Sequence, residues 1–254
     1  MERSVRGVRQ FVRNSVWGTI PRILEDLPTA RLLDAGSGNG SLISTAIARN
    51  REAVAIDADP DMVAMTNAAA PGTCERAVLP NLPFPDSSFG AVAANFVVNH
   101  LEEPRAGVEE LARVLASGGQ LAMTIWPQGG AGWASLVDGA FEDAGATPWQ
   151  GTRLPPEQDF PRTPDGLAML AEAAGLEIIS SETLTWTWEV DASALWSGIE
   201  GGVATPGARY RAQTAAIQEE TRIAFERRSA ELASHGRLCF RCSASYVLAV
   251  RPFS

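Results

Sequence analysis

Between residues 31 and 126, short apolar runs alternate with segments whose apolar residues recur every three or four positions. This is the pattern of strands exchanging with amphipathic helices. Residues 32–35 read as a buried strand, 41–50 as a helix with Ile43, Ala46 and Ile47 on one face, and 53–57 as a second strand. A helix then starts at Asp59-Pro60, an N-cap followed by a first-turn proline, and Pro71-Gly72 ends it. A weak strand over 74–79 follows. The apolar run 91–98 predicts a central parallel strand buried on both faces. Val108, Leu111, Ala112 and Leu115 predict a helix that Gly118-Gly119 stops, before a strand over 121–126. Five strand–helix alternations of this kind predict a doubly wound α/β sheet.

Upstream, Val5, Val8, Val12 and Val16 lie on one face and Arg6, Arg9 and Arg13 on another, so 5–27 reads as an amphipathic helix. Pro21 marks a break or the start of a second helix. Residues 1–28 are therefore expected to form an N-terminal helical cap, and 29–254 the main domain. Beyond Pro127 a Gly-, Pro- and Trp-rich stretch reaches Arg162. A helix over 165–174 and a strand over 176–190 follow. A long helix then presents Ala212, Ala215, Ala216, Ile223 and Ala224 on one face, and a strand over 237–250 closes the chain. Segments 128–162 and 191–234 thus look like insertions around a core, a common place for a substrate site.

Composition narrows the function. A chain of 254 residues with 45% apolar content can bury the core of one α/β domain carrying an extra lobe. No run approaches the roughly 20 apolar residues of a membrane span, and the first residues lack the apolar stretch of a secretion signal, so a cytoplasmic protein without a membrane partner is expected. The formal net charge of −9 opposes binding to a phosphate backbone, and nucleic acid is disfavoured as a partner. Cys239 and Cys242 form a Cys-x-x-Cys pair, but residues three apart on a strand face opposite ways, so their thiols should diverge. With only His100 and His235 present, a histidine metal cluster is excluded.

Candidate chemistry concentrates in Leu32-Leu33-Asp34-Ala35-Gly36-Ser37-Gly38-Asn39-Gly40. A glycine-rich turn between strand and helix lets backbone approach a ligand, and the helix N-terminus behind it offers free amides. A nucleotide or S-adenosylmethionine (SAM) could use such a turn. The dinucleotide spacing Gly-x-Gly-x-x-Gly is not met, because Ser41 stands at the third position. Asp34 would repel a pyrophosphate but attract the ammonium of a methionine moiety, directly or through water. Asp57, at the end of the second strand, can accept bonds from both ribose hydroxyls of either cofactor.

Two further segments extend the pattern: Leu82-Pro83-Phe84-Pro85-Asp86-Ser87-Ser88-Phe89, entering the fourth strand, and the helix and turn Glu109-Glu110-Leu111-Ala112-Arg113-Val114-Leu115-Ala116-Ser117-Gly118-Gly119. With the glycine turn, they make residues 30–127 resemble class I SAM-dependent methyltransferases, specifically the small-molecule group related to the ubiquinone and menaquinone biosynthetic enzymes. The resemblance implies a Rossmann-like sheet of seven strands with the last antiparallel. It implies that Gly36, Ser37 and Gly38 pack against the methionine part of SAM and that Asp57 holds the ribose. Ala58 and Met62 would flank the adenine, and backbone near Asn95 would face the amino acid end. Met62 has an equally good reading as a core gap-filler. Val78 replaces the acidic residue that relatives often place near the adenine amino group, leaving that work to backbone around Leu79. Gly90 replaces a usual aspartate.

A sulfonium methyl is already electrophilic, so the chemistry implied is proximity and orientation, with no metal. His100, just past the fourth strand, is the candidate base, with Asn99 as its companion and a backbone-bonded loop histidine as the alternative reading. Six of the seven tryptophans, Trp17, Trp133, Trp149, Trp186, Trp188 and Trp196, fall outside the five-strand repeat, with Trp126 at its end. Together they suggest an aromatic-lined site for a small apolar acceptor. Two other readings remain open: an enzyme that keeps SAM but catalyses a rearrangement or cyclisation, and a nicotinamide-dependent oxidoreductase, disfavoured by Asp34 and Ser41.

Overall fold

The structure, a computed structural model, describes residues 18–127, 132–148, 154–202 and 204–253. Residues 5–17 of the helix expected over 5–27, and Trp149, lie outside them. The chain divides into two compact units. One comprises Thr19–Gly129, Leu154–Leu184 and Ser243–Ser254 and is called here the sheet unit. The other comprises Met1–Gly18, Gly130–Arg153 and Thr185–Cys242, the helical unit. The second unit thus draws on the regions anticipated as insertions, with different limits: 154–162 belongs to the sheet unit, and 185–190 and 235–242 to the helical one.

In the sheet unit α1 (Ile20–Asp26) precedes β1 (Leu32–Ala35), α2 (Ser41–Ala48), β2 (Ala53–Asp57), α3 (Pro60–Ala69), β3 (Cys74–Arg76), β4 (Phe89–Asn95), α4 (Pro104–Val114) and β5 (Leu115–Ile125). Later come α6 (Pro164–Ala173) and parts of β6 (Glu177–Val190) and β7 (Leu238–Val250). The seven strands are ordered β3-β2-β1-β4-β5-β7-β6. Strands β1 to β5 pair in parallel, and β7 runs antiparallel to β5, Leu121 facing Ala249 and Thr124 facing Tyr246. The order reverses direction between β1 and β4, and the carboxyl ends of strands at such a switch point are where open α/β sheets bind ligands.

All four residues of β1 are buried, Asp34 included. The core between sheet and helices contains Leu33, Ile56, Phe89, Val92, Leu111, Leu115, Leu121, Met123, Leu167 and Val247. Asp59 caps α3 as expected, its side chain accepting from the Asp61 amide at 2.8 Å. Helix α1 is tied to β7 through Asp26, which accepts from the Tyr246 hydroxyl at 2.6 Å and from Arg22 at 2.6 Å. Buried Arg51 donates to the carbonyls of Leu24, Leu27 and Pro28 at the end of α1, where a cation satisfies the last carbonyls of the helix.

Several boundaries differ from the pattern-based reading. Strand β4 spans Phe89–Asn95 and gives way to a 3₁₀ turn, Val98–His100, where the apolar run alone predicted strand to 98. Helix α4 ends at Val114, and Gly118-Gly119 lie inside β5, near the register shift between Phe89 and Ala91. Their stop is supplied instead by Arg251, whose guanidinium donates to the carbonyls of Ala112, Arg113 and Leu115.

The helical unit contains α5 (Ala134–Asp143), α7 (Ala192–Glu200), α8 (Ala204–Arg211) and α9 (Ala215–Leu232). The long helix expected around 212–224 begins at Ala215: Ala212 lies in the turn after α8, and the Thr214 hydroxyl caps α9 by accepting from the Ile217 amide at 3.4 Å. The expected apolar face is also displaced. Ala212, Ala215, Ala216 and Ile223 are exposed, and α9 buries Thr221, Ala224, Phe225 and Ser229. Buried Phe225 and partly buried Tyr210 flank Trp196, with ring centroids 5.1 and 5.2 Å away. Trp188, 2% exposed, lies between Trp133 and Phe240, at 6.4 and 6.1 Å. Trp188 thus packs the unit's interior, while Trp133 and Trp196 are half-buried. On β7 Cys239 is exposed and Cys242 buried, as strand geometry predicts, and burial pushes the Cys242 thiol up to about 11.

Candidate active site

The glycine turn follows β1 at the switch point, and its first two amides extend the sheet's bonding: Gly36 and Ser37 both donate to the Ile56 carbonyl, at 2.8 and 2.9 Å. Gly36 has φ +75°, and a methyl group there would meet a Val97 methyl at 2.5 Å, so the turn must be bare to lie against the segment after β4. Gly38 has φ +56°, and a methyl group there would meet nothing within 4 Å. At this residue the backbone faces open space, as a ligand's close approach requires.

Two side chains fix Gly38. Its amide donates to Asp57 Oδ2 at 2.8 Å, and its carbonyl accepts from Thr66 Oγ1 at 3.0 Å. Asp57 Oδ1 accepts from the Asp59 amide at 3.0 Å, which leaves further lone pairs on both oxygens for hydroxyl donors. Burial raises the Asp57 pKa, while its bonds to backbone amides oppose the rise. Asn39 accepts from the amide and hydroxyl of Ser41, closing the first turn of α2, a role the sequence reading left unassigned.

Asp34 points into the N-terminal turn of α2, where its Oδ2 accepts from the Ile43 amide at 3.1 Å. The positive end of a helix suits a carboxylate. Desolvation nevertheless dominates and, with the charge of Asp57 adding to it, pushes the Asp34 pKa up to about 7. Ser37 turns inward, its hydroxyl 2.9 Å from Thr66 Oγ1 and 3.4 Å from Cys74 Sγ. Its side chain thus braces the turn, and what it offers a ligand is backbone.

Around this turn, Ala58 is exposed and its carbonyl accepts from Arg76 at 3.1 Å, Met62 is half-buried on α3, and Leu79 packs against the core. Val78, at the position where relatives often have an acid, is exposed. Asn95 Oδ1 accepts from the hydroxyls of Thr19 and Thr124, at 2.8 and 2.6 Å. Thr124 in turn accepts from the Phe96 amide at 2.9 Å. Phe96 takes φ +59°, a left-handed conformation costly for a bulky residue, and stacks on Trp126 with centroids 4.3 Å apart. The threonine network and the stack hold this strained turn at the carboxyl end of β4. No sequence signal marked Phe96, Thr19 or Thr66.

His100 closes the 3₁₀ turn after β4; it is exposed, with Nε2 3.4 Å from Asn99 Nδ2. Desolvation by the surrounding protein lowers its pKa, favouring the neutral imidazole. Among the described residues there is no cluster of His, Cys, Asp and Glu fit for a metal ion. The other family-like segments serve the scaffold. Arg113 donates to Asp86, to both oxygens of Glu110 and to the Phe84 carbonyl, and Glu110 accepts from the Leu82 amide at 2.7 Å. Bonding to Arg113 holds the Glu110 carboxyl below its usual range.

Residues 33–123 match the family model described as a methyltransferase domain. An uncharacterized methyltransferase of Mycobacterium tuberculosis is 35% identical over 108 residues, 39% of this chain and 42% of that protein. The demethylmenaquinone methyltransferase of Clavibacter sepedonicus is 33% identical over 97 residues, 37% of this chain and 40% of that protein. The chain thus spans about two-fifths of the length of these curated relatives. Among solved structures, the 4+2 cyclase SpnF superposes with a TM-score of 0.54 at 21% identity, covering 92% of this chain and 80% of that one, a likeness of fold. Residues 33–123, within the seven-stranded sheet, are thus a methyltransferase domain.

Proposed function

We propose that this protein transfers a methyl group from SAM to an oxygen, nitrogen or carbon atom of a small apolar or aromatic metabolite. The observation that carries the reading is Gly38: left-handed, held at both its amide and its carbonyl, and facing open space between β1 and α2. A methyl group would fill that space, so the residues fit the adenosyl cofactor that the domain family uses.

When bound, SAM supplies an electrophilic methyl on a sulfonium. In this reading the chain does the rest by holding and orienting. Asp57 receives the ribose hydroxyls on the lone pairs its amide donors leave free. Asp34, ionised beside an ammonium, holds the amino acid end, with Gly36, backbone of Ser37 and backbone at Asn95 around it. Ala58, Met62 and backbone at Leu79 border the adenine. His100, kept neutral near pH 7 by its lowered pKa, takes the proton from an acceptor hydroxyl, phenol or ammonium. The net charge of −9 favours a small acceptor over nucleic acid. No described helix is long and apolar enough to cross a membrane, and a cytoplasmic setting is part of the proposal.

Incubating the purified protein with methyl-labelled SAM and a metabolite extract should yield a labelled small molecule. Tight SAM binding without any labelled product would instead favour a SAM-retaining rearrangement or cyclisation, and SpnF, of similar fold, is named a cyclase. Calorimetric binding of NAD but not SAM would overturn both readings.

A further inference from the structure

The glycine turn is held from behind by a chain of three polar side chains. Cys74 Sγ lies 3.4 Å from Ser37 Oγ, Ser37 Oγ lies 2.9 Å from Thr66 Oγ1, and Thr66 Oγ1 lies 3.0 Å from the Gly38 carbonyl. All three residues are buried, Thr66 completely. Thr66 is also the one residue of α3 that is fully buried. An amphipathic helix normally spends that position on an apolar side chain, because a buried hydroxyl gains little from burial and must find partners.

Proton counting fixes the direction of the chain. A carbonyl only accepts, so the single Thr66 hydroxyl proton goes to Gly38, and the Ser37 proton must then go to Thr66. The Ser37 oxygen is left as an acceptor beside the Cys74 thiol, which burial keeps protonated and which also reaches the Glu75 carbonyl at 3.8 Å. At the other side of the same residue the Gly38 amide is held by Asp57. Both peptide groups of Gly38 are therefore fixed by side chains from β2 and α3. The Thr66 hydroxyl sets how the bare face of Gly38 is presented.

Resting on the methyltransferase reading, we infer that Thr66 is a positioning residue for the cofactor: its hydroxyl, through Ser37 and Gly38, sets the turn on which SAM is bound. It touches no reacting atom. Its partner atoms belong to the turn, so loss of the hydroxyl should loosen cofactor binding more than it loosens the fold.

The test separates the hydroxyl from the methyl. Thr66→Val keeps the volume and removes the donor; Thr66→Ser keeps the donor and removes the methyl. Affinity for S-adenosylhomocysteine by calorimetry should fall at least about tenfold in Thr66→Val, which leaves the Gly38 carbonyl and the buried Ser37 hydroxyl without this partner. It should stay within about threefold in Thr66→Ser, even though that variant loses packing and melts lower. Amide exchange at Gly38 to Gly40 should speed up in Thr66→Val and stay near wild type in Thr66→Ser, a readout that a merely structural role would not split in this way. Wild-type affinity in Thr66→Val, or losses in both variants that track melting temperature, would overturn the positioning role alone. Failure of the wild-type protein to bind S-adenosylhomocysteine would overturn the functional reading and this inference with it. Should Thr66→Val not fold, Ser37→Ala removes the proton that Thr66 accepts. A several-fold loss of affinity is expected there, and unchanged affinity would count against the chain.

Discussion

The turn after β1 and the helices of the helical unit solve opposite problems with buried groups. In the turn, buried and half-buried side chains are polar and spent on backbone: buried Asp34 on Ile43, half-buried Asp57 on Gly38 and Asp59, and buried Thr66 on Gly38. In the helical unit, buried Phe141, Leu195 and Phe225 pack as apolar groups, the buried hydroxyls of Thr221 and Ser229 bond only to carbonyls of their own helix, and the charged side chains pair nearer the surface, as Asp143 does with Arg227 and Arg228. Buried polar groups cost free energy unless paired, so a turn built from them fixes geometry at the expense of stability. An apolar core stabilises without prescribing where a ligand goes. The two regions should therefore respond to substitution in different currencies.

The largest effect is expected in the helical unit. Phe225→Ala, at a residue 1% exposed and in contact with Trp196, should cost about 3–5 kcal/mol of stability by denaturant unfolding. Affinity for S-adenosylhomocysteine should stay within about twofold where the variant is folded. A parallel loss of binding would break the contrast. Next comes Asp57→Ala, which removes both the anchor of the Gly38 amide and the proposed ribose acceptor. Calorimetry should show affinity lower by about 10- to 100-fold, as expected for hydrogen bonds to a charged group. Unchanged affinity would show that the ribose is not held there.

Asp34 sharpens the contrast through pH. Its folded-state pKa, about 7, stands above the ordinary 3.8. Between those values the folded protein binds more protons than the unfolded chain, so this residue makes stability fall as pH rises from about 4 to 7. A cationic ligand reverses the preference, because it needs the ionised carboxylate. Affinity for SAM should therefore rise toward pH 7 by up to roughly tenfold per unit and then level off. Asp34→Asn should bind SAM more weakly and flatten that rise; an unaltered pH profile would remove Asp34 from the ammonium site.

What was legible in the sequence follows the same division. The alternation of runs over 31–126 and the glycines, Asp34 and Asp57 are local signals, readable because a buried strand and a positive-φ turn each demand particular residues in a few consecutive positions. The doubly wound sheet followed from the alternation, whereas the seventh, antiparallel strand came only from the family resemblance. Thr66, Thr19 and Phe96 were not legible, since their roles arise from contacts across 28 to 76 residues of chain. Arg113 and Glu110 carried a family pattern whose meaning is mutual bonding of two scaffold segments. In the helical unit the alanine spacing suggested a face that the folded chain leaves exposed except at Ala224, because alanines at helical spacing say little about which side finds a partner.

The smallest predicted effect bears on that last error. If 212–224 were one continuous helix, Thr214 would sit in its interior, and Thr214→Ala would be neutral or slightly stabilising, alanine being the better helix former. In the folded chain Thr214 is extended, at φ −65° and ψ 157°, and caps α9. Its replacement by alanine leaves the Ile217 amide without that acceptor, at a cost of about 0.5–1 kcal/mol, the low part of the range because the 3.4 Å bond is long. The sign alone decides: a Thr214→Ala variant more resistant to urea than wild type would join α8 to α9, and a less resistant one keeps the break. Asp59→Ala offers the matched control, since Asp59 caps α3 with a 2.8 Å bond and sits two residues from Asp57. Its stability loss should be similar or somewhat larger, but it alone should also weaken S-adenosylhomocysteine binding, because losing the side-chain bond to Asp61 loosens the backbone at residue 59, whose amide, kept in the variant, helps orient the Asp57 carboxylate. Two caps of the same kind, one beside the turn and one in the helical unit, thus separate geometry that serves a ligand from geometry that serves only a helix.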